Sequence, residues 1–218
     1  MNLLAVLEPA DGVSAPAPRP RRMQRKDEVR ARVFAAAIPL FLEHGFDGVT
    51  MEDIAAASGV PRRTIFRHFP SKTDVVHAWT VAANDGLAER IAAQPQGEPL
   101  TVRLCGGILE HVRAHPERHD RMLKMGMLSA STPDLRARAG EKFEIWSDDV
   151  ARQIARERGR ADPSPAEQLA VALVMAAYRV VTRRWIDTAG QRPVDAMLAE
   201  AFAHLRPIRF HDEHAKQE

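Results

Sequence analysis

The stretch Thr50–Lys72 reads TMEDIAAASGVPRRTIFRHFPSK. Thr50 is a favoured N-cap residue, and Asp53 three positions on forms a near capping box, with Asp where Glu is usual. Ile54, Ala55 and Ala57 then predict a short helix, with Ala55 small enough for a second helix to cross closely. Gly59 supplies the turn, because positive φ is easiest for glycine. Pro61 falls at or beside the first turn of the next helix, where its missing N–H costs nothing. Val60 and Ile65 point back into the core. This is the spacing of a helix-turn-helix.

The second of these helices has an outward face of Arg62, Arg63, Thr64, Arg67 and His68. Arginine reads guanine with two hydrogen bonds, and threonine meets a thymine methyl or an oxygen. His68 and Lys72 fall where the phosphates of a duplex would run. Ser71 is placed to cap a further helix, whose positive N-terminus favours another phosphate. An ordinary helical hairpin with solvated arginines is the alternative. The agreement in register of small residue, turn glycine, core aliphatics and basic face favours double-stranded DNA as partner.

Upstream, Arg19, Arg21, Arg22, Arg25 and Lys26 form a basic cluster, with Arg25 and Lys26 closest to the helical region. Residues 1–73 hold 11 Arg and Lys against 8 Asp and Glu, and the remainder 20 against 21. A local basic arm suits phosphate contact, a solvated tail being the other reading. Pro9, Pro16, Pro18 and Pro20 argue against a helix, so residues 1–26 are expected to be a disordered arm. Met23 is an alternative start to Met1. The first long helix is expected over Asp27–His44, with Asp27 and Glu28 at its positive end and Gly45 as its stop. Val33, Ala37, Leu40, Phe41 and His44 mark its inward stripe, and Pro39 should kink it.

The rest of the 218 residues is helical in pattern, without strand alternation. Segments are expected over 72–93, 99–115, 117–130, 134–158, 165–187 and 194–205, separated by proline- and glycine-bearing breaks. A polar tail covers 207–218. The fold class is therefore all-α. Leu169–Val181, LAVALVMAAYRVV, is apolar on nearly every side of a helix yet too short to span a membrane. It calls for cover on two sides, one by its own domain and the other by a second subunit, unless it is buried within one chain. The segment 194–205 is its natural companion.

With those residues quoted, the resemblance is plain. Val33–Gly45 (VFAAAIPLFLEHG), Phe46, Thr50, Asp53–Val60 (DIAAASGV) and Thr64–Lys72 (TIFRHFPSK) resemble the TetR family of transcriptional regulators. The resemblance implies an N-terminal three-helix helix-turn-helix domain, 27–73, followed by a helical effector-binding and dimerisation domain, 74–206, with roughly nine helices in all. It also implies a homodimer through the last two helices, and places Thr50, Arg62, Arg63, Thr64, Phe66, His68 and Lys72 at the DNA. Phe66 departs from the family's usual tyrosine and loses a phenol-to-phosphate hydrogen bond. Pro39 stands at a commonly charged surface position. Two recognition helices about one DNA turn apart (~34 Å) would read a pseudo-palindromic operator.

Leu104, Ile108, Met122, Met125, Met127, Leu128, Phe143, Trp146 and Met175 are candidates to line a ligand cavity, methionine adapting to flexible apolar ligands, or else they are core. The segments Asp134–Gly159 and Arg183–Phe202 resemble actinobacterial members near the mycofactocin-system regulators, which implies a small apolar, acyl-type effector such as an acyl-CoA. His111, His115 and His119 have helical spacing, but Pro116 interrupts it, so no metal site is expected. The lone Cys105 has no adjacent charge and reads as a small buried residue. There is no phosphate-cradling glycine loop and no nucleophile-elbow motif. No cofactor and no enzymatic activity are expected. The function expected is a cytoplasmic, ligand-responsive repressor; a constitutive architectural DNA binder and a helical-bundle enzyme are the alternatives.

Overall fold

The computed structural model describes residues 21–208, with side chains from residue 25. Among the described residues every regular element is helical: eleven α-helices and one 3-10 turn. They fall into two compact units, the first ending at Val76 and the second beginning at His77.

In the first unit α1 spans Arg21–His44, α2 Met51–Ser58 and α3 Arg62–His68, and α4 (Lys72–Ala82) begins there. The helical start at Arg21 corrects the expected arm for residues 21–26. Arg, Met, Gln and Lys are good helix formers, and Pro20 is the last of the upstream prolines. Residues 1–20 of the arm, and the polar tail from 209, lie outside the described residues. The first turn of α1 consequently holds no acid. The helix runs on through Pro39, an exposed position. Its buried face is Val33, Ala37, Ile38 and Phe41. His44, expected inward, is exposed, and Leu40 is half-buried.

Local chemistry sets the ends of the next helices. Thr50 Oγ1 accepts from the Asp53 N–H at 3.1 Å, and the Asp53 carboxylate accepts from the Thr50 N–H at 2.8 Å, a complete capping box. Gly59 stops α2 with φ +61°. Arg32 donates to the Ser58 carbonyl at 2.8 Å, satisfying one of the acceptors a helix end leaves open. Ser71 repeats the device before α4, with its N–H 2.9 Å and its hydroxyl 2.6 Å from the Asp74 carboxylate. Ile54, Val60, Ile65, Phe69 and Val75 close the core against Phe41 and Phe46.

The second unit holds α5 (Leu87–Ala92), α6 (Leu100–Arg113), the 3-10 turn Pro116–Arg118, α7 (His119–Ser131), α8 (Pro133–Ala137), α9 (Glu141–Glu157), α10 (Pro165–Asp187) and α11 (Val194–Ala203). Two expected segments are each divided. Gly86, at φ +84°, breaks 72–93 into α4 and α5. The turn at 138–140 breaks 134–158 into α8 and α9.

Gly107 lets α5 and α6 touch through their backbones: a Cβ there would lie 2.7 Å from the Ile91 Cα. Around that crossing pack Leu104, Ile108, Val150, Ile154, Val171, Met175 and Leu198. The start of α10 is fixed by Glu167, almost fully buried, which caps Ser164 and pairs with Arg158 at 2.8 Å and with Arg160. The helix buries Ala170, Val174, Tyr178 and Trp185. Its other side leaves Leu169 60% and Val180 66% exposed, with Ala172 and Ala176 between them.

Candidate nucleic-acid interface and ligand cavity

On α3, Arg62, Arg63, Phe66 and Arg67 are exposed, while Thr64 and His68 are half-buried. The helix is held from beneath by Ile65 and from its C-terminus by Phe69, whose N–H donates to the Ile65 carbonyl at 2.8 Å. Arg62 is not wholly free. Its Nε lies 2.7 Å from Glu52, and its guanidinium sits 4.9 Å above the Phe66 ring. Phe66 therefore supports Arg62 by a cation–π contact, a role that the loss of a phenol hydroxyl does not touch and that the sequence reading missed. Arg63 and Arg67 have no ion-pair partner among the described residues.

Two other expected DNA contacts have intramolecular roles. The Thr50 hydroxyl belongs to the cap of α2. The Lys72 amine donates to the Phe46 carbonyl at 2.7 Å and lies 4.6 Å above the Phe46 ring, which ties α4 to the loop after α1. The His68 ring has its pKa lowered by burial and then by the nearby charges of Arg67, Lys26 and Arg30, which favours its neutral form. Arg25 and Lys26 are exposed near the start of α1.

The second unit contains a cavity of about 580 Å³, in the range of small-molecule sites. Trp79 and Thr80 of α4, Met122 and Met125 of α7, Lys142, Phe143 and Trp146 of α9, and Tyr178 and Thr182 of α10 are on its wall. Of the expected lining, Met122, Met125, Phe143 and Trp146 are there. Leu104, Ile108 and Met175 are packed into the core instead, each no more than 3% exposed. Leu128 is half-buried off the wall, and Met127 is 44% exposed. The sequence reading passed over Lys142 and Tyr178. The one available signal was Lys142-Phe143-x-x-Trp146, which puts a cation and two rings on one helical face.

The Lys142 amine lies 5.0 Å from the Phe143 ring centre and 5.6 Å from that of Trp146, and burial pushes its pKa down to about 8. A smaller void of about 30 Å³ shares Tyr178 and Met122 with the large one and is also bounded by Asn84 and His111. His111 Nε2 is 3.3 Å from the Ala83 carbonyl, which fixes it as the donor and leaves Nδ1 an unpartnered acceptor. Burial pushes this pKa down to about 4. His115 pairs instead with Glu117 at 3.3 Å, and His119 meets the Val112 carbonyl at 3.0 Å, so the three rings have separate partners. Cys105 is buried, and burial pushes its thiol up to about 12. Among the described residues no helix is long and apolar enough to cross a membrane.

Comparison with known proteins agrees with this geometry. Residues 33–79 match the family described as bacterial regulatory proteins, tetR family, and residues 98–209 match the MftR C-terminal domain. The HTH-type transcriptional regulator TcmR of Streptomyces glaucescens is 30% identical over 88% of this chain and 92% of its own. A putative mycofactocin biosynthesis transcriptional regulator of Mycobacterium tuberculosis is 29% identical over 62% of this chain and 69% of its own. The crystal structure of Thermus thermophilus FadR, a TetR-family repressor in complex with lauroyl-CoA, shares the fold, with a TM-score of 0.55 and 24% identity over 87% of this chain and 98% of that one. The two family matches and the 30% identity to a regulator covered over 92% of its length make the family plain: the chain belongs to the TetR family of transcriptional regulators.

Proposed function

We propose that the chain is a cytoplasmic, ligand-responsive repressor that binds a pseudo-palindromic operator as a homodimer and is released by a small apolar, acyl-type effector. The observation that carries the DNA contact is the exposed face of α3, on which Arg63 and Arg67 have no acid to neutralise them among the described residues. The cations at the start of α1 add to it. Arg25 and Lys26, exposed in the second turn of α1, are placed to meet phosphate oxygens.

The apolar stripe Leu169, Ala172, Ala176 and Val180 supports the homodimer, since an exposed row of this kind on α10 is stabilised by a self-complementary copy. The cavity supports the effector, as does the lauroyl-CoA bound to the FadR relative. A ligand shifts the protein off DNA only by its differential affinity for the two states.

Fluorescence anisotropy on the DNA upstream of the chain's own gene, from 50 to 300 mM salt, tests the reading. Affinity should fall steeply with salt, and Arg63→Ala with Arg67→Ala should flatten the slope and weaken binding at least tenfold. Binding indifferent to both would overturn it.

A further inference from the structure

Resting on that reading of the cavity, we propose that Lys142 anchors the anionic head of the effector, so that the ligand is an elongated apolar molecule ending in a carboxylate or phosphate. The charged side chains on the wall are five cations, Arg136, Lys142, Arg179, Arg183 and Arg184, and one anion, Asp187. Asp187 is already held by Arg183 at 3.0 Å. Lys142 has no ion-pair partner among the described residues, and its amine rests on the rings of Phe143 and Trp146. Lys142 is half-buried; desolvating an ammonium even in part without a counter-charge is costly, and a cation–π contact of about 0.5–2 kcal/mol offsets only some of it. An anion entering this cavity recovers the remainder, whereas a neutral ligand leaves Lys142 desolvated.

The apolar part of the wall, Met122, Met125, Phe143 and Trp146, is the complement of an aliphatic tail. Tail and head are thus specified by different residues, and they can be tested separately.

Calorimetric titration of the full chain with dodecanoate, dodecanoyl-CoA and 1-dodecanol reads both. The expected result is that at least one anionic probe binds about tenfold or more tightly than the alcohol. Dodecanoate and the CoA thioester distinguish a carboxylate from a phosphate as the head. In Lys142→Met, which keeps the apolar stem, that preference should collapse while alcohol affinity stays within twofold. Lys142→Arg should restore it, which separates loss of charge from a folding defect. Equal binding of all three probes to the wild-type chain, or a preference that survives Lys142→Met, would overturn the anchor while leaving the effector cavity standing. Binding of none would overturn both.

Discussion

Glu52, the second residue of α2, holds Arg62, the first residue of α3, through a 2.7 Å ion pair between side chains that are both more than half exposed. The same Arg62 guanidinium lies 4.9 Å above the Phe66 ring. Exposed pairs of this kind are worth at most about 1 kcal/mol, so a DNA phosphate or guanine displaces Glu52 at small cost. Removing the acid also removes its repulsion of the duplex. Glu52→Gln should therefore tighten DNA binding by a few-fold without altering the fold, whereas Arg62→Ala should weaken it and lower the salt slope. Anisotropy titrations of the two variants in parallel check the opposite signs.

The turn between α2 and α3 depends on Gly59. At φ +61° a Cβ is strained, and it would come within 3.0 Å of the Arg32 guanidinium that caps Ser58. Gly59→Ala should cost about 1–2 kcal/mol, seen as a melting temperature several degrees lower, with Gly59→Asn milder because Asn tolerates left-handed backbone. Gly107 is more severe for a different reason. Its neighbour is the backbone of Ile91, which cannot move aside as a flexible side chain does. Gly107→Ala should force α5 and α6 apart at a cost of about 3 kcal/mol or more, and should reduce expression of folded protein.

His111 makes stability depend on pH. Burial holds its folded pKa at about 4, against an ordinary value of 6.5. The unfolded chain therefore binds the proton more readily between those two values. Stability from this group is complete above about pH 6.5, falls as pH drops through that value, and bottoms out below pH 4. The full swing is about 3 kcal/mol. Thermal melts from pH 8 to pH 4 should show the decline, and His111→Leu should flatten it in that window.

Val180, 66% exposed at the C-terminal end of the α10 stripe, offers a direct test of the homodimer. Val180→Asp places a charge on the apolar stripe that the proposed dimer would bury. Light scattering should shift from twice the 24.2 kDa chain mass to once, and DNA affinity should fall because two linked recognition helices become one. A wild-type chain that scatters as a monomer at micromolar concentration would contradict the pairing.

The helix-turn-helix was legible because its determinants are local. Thr50 and Asp53, Gly59, and Ser71 and Asp74 each act within four residues, so their spacing in the chain is already their geometry. The break between α4 and α5 was missed, because the helical period on either side outweighed the turn residues Asn84-Asp85-Gly86. The cavity was half legible. Trp146, Met122 and Met125 are on the wall while Leu104, Ile108 and Met175 are not, although all are apolar residues at helical spacing. What sorts them is which helices pack against one another, and contacts between distant parts of the chain, such as that of Gly107 with Ile91, 16 positions apart, are encoded by no periodicity. The Glu52–Arg62 pair was missed for a related reason, since it spans a turn between two helices rather than one face of either.

The burial of Cys105 has a practical consequence. Its thiol, the only one in the sequence, stays protonated well above neutral pH and is closed to solvent. Maleimide chemistry should pass it by in the native fold. A reporter cysteine introduced on α3 or along α10 can therefore carry a fluorophore or spin label selectively in the otherwise unaltered chain, making inter-subunit distances with and without DNA a measurable quantity.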